Sequence, residues 1–188
     1  MPSCTREDAV LYAFGFERIG VLVSDLYFVD PDPAPGQEGP EHGVRLEVRM
    51  LEQGELTGSI YSSRPIQAGQ PIWRADLLKS LDSPPGRLNR AHHHPGFHGW
   101  EPGKRVFEKG LSAHPVVWVG EQLADLGTLL DRAGIGPVQD YAADIEDLRG
   151  AVHEITAVLG SLLARVESGE LAAGPSGDQP ESARVSWL

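Results

Sequence analysis

The sequence predicts an α+β fold, in which an N-terminal antiparallel β-meander of about four strands precedes a histidine-rich loop and two C-terminal helices. Two patterns predict this order. The first half alternates apolar and polar residues, which is typical of strands with one buried face. The second half repeats apolar residues every three or four positions, which is typical of amphipathic helices. Strands followed by helices indicate an α+β protein rather than an alternating α/β protein.

Four segments of the first half have the alternation expected of strands. In residues 18–29 the apolar side chains change face near Ser24, which predicts a β-bulge there. Residues 44–50 alternate most regularly, with apolar side chains on one face and charged side chains on the other. Residues 56–61 and 72–77 complete the set. Short turns between the segments predict an antiparallel meander with one face in solvent.

The second half predicts two helices. Pro115 suits the first position of a helix that reaches about residue 133, since a missing N–H costs nothing there. The second predicted helix spans residues 140–167 and carries eight apolar residues at heptad spacing. These seam residues are Tyr141, Ile145, Leu148, Val152, Ile155, Leu159, Leu162 and Val166. The seam predicts either a homodimer or partner-protein contact, or a helix that packs within its own chain.

These elements divide the chain into three parts. Residues 1–136 hold the α+β core with the histidine-rich loop, residues 137–169 hold the heptad-patterned helix, and residues 170–188 form a tail. Because the tail is rich in Gly, Pro, Ser, Asp and Glu, it offers little apolar area to offset ordering, and we expect it to be disordered. Residues 30–43 contain four prolines and predict a long exposed loop.

Composition indicates a soluble, cytoplasmic protein. Cys4 is the only cysteine, so an internal disulfide is excluded and we interpret Cys4 as incidental. The sequence shows no signal peptide and no apolar run near the roughly 20 residues that a membrane span needs. A net charge of -11 disfavours general binding to nucleic acid. Residues 74–109 are locally basic, however, with seven bases against four acids.

The strongest functional signal is a cluster of four histidines in this basic segment, namely His92, His93, His94 and His98. Imidazole is the commonest metal ligand and changes charge near neutral pH. Neighbouring prolines and glycines predict a shaped loop. His92 and His94 are two residues apart, so on an extended segment their side chains point the same way and can share one ion. The candidate ligands of one divalent metal ion (Zn, Fe or Mn) are His92, His94, His98, Glu101 and Asp76.

The same cluster suits acid–base catalysis on an anionic substrate. His92, His94 and His98 are the candidate catalytic residues, one taking a proton from a nucleophile while another donates one to a leaving group. The candidate substrate-binding side chains are Arg74, Arg90, Lys104, Arg105 and Trp100. Arginine matches phosphate and carboxylate groups, and an indole ring can stack on a base or sugar. No nucleotide or flavin motif is present in the sequence.

The order of these motifs resembles that of the TumE-like toxins of bacterial toxin–antitoxin pairs. Here a strand meander leads to Trp-Arg-Ala-Asp at residues 73–76 and then to His-His-His-Pro at residues 92–95. In that group a charged R-x-D strand end likewise leads to a His-His-x-Pro run. The resemblance covers about residues 44–110. It implies a cytosolic activity on RNA or nucleotides.

Three hypotheses follow for the function. In the first hypothesis, the chain is an enzyme that acts on an anionic substrate, such as an RNA or nucleotide phosphodiester, by acid–base or metal-assisted chemistry. Alternatively, it is a non-catalytic metal-binding or sensing protein that uses the same histidines. A third interpretation is an interaction module whose functional surface is the seam of residues 140–167.

Overall fold

A computed structural model describes residues 9–178 and 180–188, and it confirms the α+β class. The predictions for Cys4 fall outside these described residues. The strands are β1 (Leu11–Gly15), β2 (Ile19–Val29), β3 (Glu41–Gln53), β4 (Ile66–Ser80), β5 (His92–His94), β6 (Phe97–His98), β7 (Glu101–Pro102) and β8 (Ala183–Val185). The helices are α1 (Lys109–Ala113), α2 (Pro115–Ala124), α3 (Leu126–Arg132) and α4 (Ala142–Glu167), and a 3-10 turn (Val138–Tyr141) precedes α4.

One antiparallel sheet organises the N-terminal half, in the order β1-β2-β3-β4-β5, with β8 pairing to β2. Strand β1 was not predicted. The predicted strand at residues 56–61 is wrong, because β3 and β4 are joined there by irregular chain. The bulge predicted near Ser24 is also wrong, since β2 pairs with β3 without a shift from Ile19 to Phe28. Its apolar residues change face because both faces of β2 are buried.

The sheet face opposite the helices is not solvated, which corrects the prediction from the strand alternation. Charged residues of β3 point to this face, yet Arg45 and Glu47 are buried. Each pairs with a charged residue of β4, and this pairing offsets the cost of removing the charges from water. The β6–β7 hairpin adds cover, since the ring of Phe97 lies 5.0 Å from the Arg74 guanidinium carbon.

The histidine segment is a strand rather than the predicted loop. Residues 92–94 pair with residues 74–76 of β4, and His93 exchanges two backbone hydrogen bonds with Val106. The proline and glycine that predicted a loop follow the strand, where Pro95 and Gly96 lead into the β6–β7 hairpin. Residues 30–40 are irregular, as expected, but β3 already begins at Glu41.

The helices cover the other face of the sheet. Helix α2 begins at Pro115, as predicted, but the expected single helix to about residue 133 is interrupted at Asp125 (φ -111°, ψ 49°). Helix α4 has 26 residues and covers most of the predicted 140–167 span. It ends before Gly169, whose φ of 79° permits the left-handed turn that residues with a Cβ rarely adopt. No helix in the described part of the chain is long and apolar enough to cross a membrane.

The heptad seam packs inside its own chain. Six of its eight residues are buried in the hydrophobic core, which strands β2, β3 and β4 share. Those six are Tyr141, Leu148, Ile155, Leu159, Leu162 and Val166. The remaining two, Ile145 and Val152, pack against this core while half-buried. The core therefore uses the seam that would otherwise face a partner helix, and a homodimer contact through it stays a prediction.

The tail is not disordered throughout, which corrects the prediction for residues 170–188. Leu171 and Ala172 are buried in the core, and the Ala172 N–H donates to Asp25 Oδ2 at 3.0 Å. Strand β8 then pairs with the end of β2. Leu188 is buried as well. A few apolar residues and available backbone groups on β2 are enough to hold a segment whose average composition is polar.

Candidate metal centre

The pairing of β4 with β5 brings a carboxylate and two imidazoles together. Asp76 lies opposite His92, and Arg74 lies opposite His94. Side chains alternate along a strand, so His92 and His94 point to one face and His93 to the other. Asp76 shares the face of His92, since directly opposite residues project to the same side. The two-residue spacing in the sequence is therefore the feature that assembles the site.

These three side chains form a compact buried group. His92 Nε2 lies 3.3 Å from Asp76 Oδ2, and His94 Nε2 lies 3.6 Å from the same oxygen. All three candidate ligand atoms lie within 4.8 Å of one another. The exposed fraction is 1% for Asp76, 2% for His92 and 4% for His94. This group is the only one of its kind among the described residues.

Backbone carbonyls fix the orientation of both imidazoles. His92 Nδ1 lies 2.8 Å from the carbonyl oxygen of Arg90, and His94 Nδ1 lies 2.8 Å from that of Gly103. A carbonyl oxygen only accepts hydrogen bonds, so each Nδ1 carries the proton. In the neutral imidazole Nε2 is then an acceptor. Two acceptor nitrogens therefore face an acceptor carboxylate oxygen, and the arrangement needs a cation or additional protons between them.

Arg45 holds the carboxylate from the opposite side. Its Nε donates to Asp76 Oδ1 at 2.6 Å, and its Nη2 donates to Asp76 Oδ2 at 3.2 Å. Burial by itself raises the pKa of Asp76, but the positive charge of Arg45 is the largest of the effects that oppose burial, and the pKa of Asp76 lies well below its usual range. Asp76 is therefore ionised, as a metal ligand has to be.

The geometry suits a small divalent ion. Bonds of about 2.0–2.1 Å from imidazole or carboxylate to Zn²⁺ place tetrahedral ligand atoms about 3.3 Å apart. The distances of 3.3 and 3.6 Å between Oδ2 and the two nitrogens are close to this separation. Each imidazole also has the second hydrogen bond to a carbonyl that is usual for a metal-binding histidine. Three protein ligands leave at least one coordination position open.

Two other predicted ligands do not join this group. His98 and Glu101 lie opposite each other on the β6–β7 hairpin, and both are exposed. His93 points into the core, where Trp73 Nε1 donates to its Nδ1 at 3.3 Å. Of the alternatives predicted to join His92 and His94, the structure brings Asp76 to them.

All three arginines predicted to bind substrate form ion pairs with carboxylates. Arg74 Nε donates to Glu47 Oε1 at 2.7 Å. Arg90 and Arg105 form ion pairs with the carboxylates of Glu41 and Asp30.

The other two predicted substrate-binding residues are exposed. Lys104 has no ion pair within residues 9–178 and 180–188, and it follows Gly103, whose carbonyl accepts from His94. Trp100 is 57% exposed, and its ring lies 5.8 Å from the Arg49 guanidinium carbon. These two side chains remain accessible near the hairpin.

The residues that surround the three candidate ligands could not be identified from the sequence. Arg45 was counted among the charges of a regular strand and was not connected to Asp76, which lies 31 residues away. Phe107 was not singled out either, although its ring centre lies 5.5 Å from that of His92. The alternation over residues 44–50 was the available signal, because it places Arg45 and Glu47 on one face. It did not reveal which strand would lie beside them.

Comparisons with protein-family models, curated proteins and solved structures found no match to this chain.

Proposed function

We propose that the protein is an enzyme that binds one divalent transition-metal ion through Asp76, His92 and His94 and uses it on an anionic substrate. One observation carries the proposal: two Nε2 acceptors and one carboxylate oxygen face each other in a buried site. A metal ion satisfies all three acceptors at once. One extra proton bridges only two of these three acceptors, whereas one metal ion can bind all three.

The ligand set narrows the choice of metal. Two imidazoles and one carboxylate suit Zn, Fe or Mn, whereas a site made for Mg or Ca consists of oxygen ligands. Two histidines and one carboxylate with open positions are typical of non-haem Fe(II) sites, and three protein ligands plus a water are typical of catalytic zinc. A bound ion of either kind supplies a Lewis acid and lowers the pKa of a coordinated water.

The substrate class follows from charge and from the resemblance to the TumE-like group. The centre lies in the basic segment 74–109. Lys104 is exposed next to Gly103, whose carbonyl oxygen accepts from His94, and Trp100 is exposed between β6 and β7. Cations and an exposed aromatic ring suit a phosphate and an attached base or sugar. An RNA or nucleotide phosphodiester is therefore the first substrate to test.

Metal analysis of the untagged protein tests the proposal. Elemental mass spectrometry is expected to find about one Zn, Fe or Mn per chain, either as purified or after stripping with a chelator and reloading. His92→Ala and His94→Ala are expected to lose the ion. His98→Ala is the matched control, because His98 belongs to the same cluster in the sequence but lies on the exposed hairpin. Wild-type protein that is folded and takes up none of the three metals contradicts the proposal.

A non-catalytic metal sensor is the second candidate, and the burial of the ligands favours it. All three ligand residues are at least 96% buried, which would keep a bound ion away from a substrate. A metal-loaded protein that hydrolyses no phosphodiester, but changes conformation on loading, would favour sensing over catalysis.

A further inference from the structure

An open cleft lies beside the metal centre and shares a wall with it. The cleft has a volume of about 600 Å³, within the range of roughly 300–1,000 Å³ typical of small-molecule sites. Phe107 lines the cleft, and its ring centre lies 5.5 Å from that of His92. Asn89, on the same lining, precedes Arg90, whose carbonyl fixes the His92 ring. One aromatic side chain and one short stretch of backbone thus connect the cleft to His92, which is one of the proposed metal-binding residues.

The cleft also holds two cations that are available to a ligand. Arg87 and Lys109 both line it and are exposed, and neither side chain has an ion pair or hydrogen bond within the described residues. The arginines nearer the centre, Arg74 and Arg90, are already paired with carboxylates. Glu108 is the one acid on the cleft lining, so the lining carries a net positive charge.

Apolar side chains complete the lining. Leu88 and Phe107 offer apolar surface next to the two cations. A ligand that uses both features carries an anionic group and an apolar or aromatic part. Bare inorganic anions would use the cations alone and bind more weakly, because they bury no apolar area.

We propose that this cleft binds a small organic anion, with Arg87 and Lys109 on its phosphate or carboxylate group and Leu88 and Phe107 against its apolar part. The role of this cleft in presenting substrate to the metal centre rests on the proposed function. Two cations that are unpaired within residues 9–178 and 180–188 thus take the role that the sequence predicted for the ion-paired Arg74, Arg90 and Arg105.

Backbone NMR of the full chain with phenyl phosphate as the probe tests the cleft directly. We expect amide shifts at Asn89, Phe107 and Ser112 that saturate, with weaker binding of inorganic phosphate. Benzoate in place of phenyl phosphate distinguishes a carboxylate site from a phosphate site. The double substitution Arg87→Gln with Lys109→Gln is expected to weaken binding at least tenfold. Arg64→Gln is the matched control, because Arg64 is exposed and does not line the cleft.

Metal content measured on the same samples separates this inference from the proposed function. The glutamine variants replace exposed side chains, so we expect unchanged melting temperatures and unchanged metal content. Probe binding that needs Arg87 and Lys109 in a chain that takes up no metal supports the cleft and contradicts the metal proposal. Metal uptake without saturable shifts at the cleft, or shifts that the double variant leaves unchanged, overturns the cleft.

Discussion

Arg45 and Asp76 are cross-strand partners, opposite each other on β3 and β4, and they form a two-point ion pair at 2.6 and 3.2 Å. The same row of the sheet continues on β5, where His92 lies opposite Asp76. Sheet register thus places a guanidinium, a carboxylate and an imidazole side by side. The carboxylate is held from one side by Arg45 and presents Oδ2 to both histidines on the other.

This relationship predicts that replacing Arg45 destabilises the metal-free protein more than the metal-loaded protein. Arg45→Met leaves the Asp76 carboxylate buried without its cation, and breaking a buried pair in this way costs about 3–5 kcal/mol. A divalent ion would restore positive charge beside Asp76 and recover part of that loss. Urea unfolding with a chelator and with added metal measures both values.

A surface ion pair provides the comparison for Arg45. Arg165 pairs with Glu170 where its side chain is 32% exposed. Arg165→Met is expected to lower the free energy of unfolding by at most about 1 kcal/mol, since exposed pairs contribute little. This loss should be the same with chelator and with added metal. An equal loss for Arg45→Met with chelator and with metal would mean that no ion acts on Asp76.

Metal removal is expected to lower the melting temperature of the wild-type protein. An ion at 100 times its Kd stabilises the folded state by about 2.7 kcal/mol. For a chain of this size each kcal/mol corresponds to roughly 2–4 °C, so a chelator should lower Tm by about 5–11 °C. His94→Ala should abolish this response. His98→Ala, at an exposed site, should keep the full fall in Tm on adding a chelator. If His94→Ala also keeps this response, the ion binds elsewhere.

The candidate ligand group could largely be predicted from the sequence, because its assembly depends on strand periodicity. Residues two apart on a strand share a face, and this brought His92 and His94 together as expected. Asp76 was one of three alternatives for the third position. Choosing among them required the register of β4 against β5, which depends on packing across the whole sheet rather than on the local sequence.

The buried polar face could not be predicted for a related reason. The alternation over residues 44–50 is the same whether the charged face meets water or other charges. Burial of Arg45 and Glu47 depends on partners in β4. Strand β8 was missed because it pairs along β2 from more than 150 residues away, with little apolar periodicity of its own.

Stability is expected to fall as the pH drops from about 7 to 6. Burial lowers the pKa of His93 and of His42 in the folded protein. In the unfolded chain a histidine titrates near its usual value of about 6.5, so the unfolded state takes up protons that the folded state resists. Both residues therefore contribute stability that is present above that value and is lost as the pH falls toward the folded pKa.

Replacing His93 with a group that does not titrate isolates its part of this pH dependence. His93→Gln should make the change in unfolding free energy between pH 7 and 6 smaller, and glutamine still offers an acceptor to Trp73 Nε1. Guanidinium unfolding at the two pH values provides the measurement. His98→Gln, at an exposed site, should leave the slope at the wild-type value. A slope that His93→Gln does not reduce would show that other groups cause the pH dependence.

The packing of helix α4 predicts that its seam is essential for folding rather than for association. Leu148 and Ile155 are fully buried in the core with strands β2 and β3. Truncating one such residue to alanine costs about 2–5 kcal/mol, a large part of the 5–15 kcal/mol that stabilises a typical domain. Ile155→Ala should therefore lower the urea midpoint clearly, and Leu148→Asp with Ile155→Asp should unfold the chain.

Sedimentation of the wild-type protein and of both variants decides between the two uses of the seam. An internal seam gives a wild-type monomer and an unfolded double variant. Glu154→Ala, next to Ile155 but on the exposed face of the helix, should change neither mass nor stability. A dimeric wild type that the double aspartate variant turns into a folded monomer would instead assign the seam to a partner helix, and the core packing described for α4 would then be wrong.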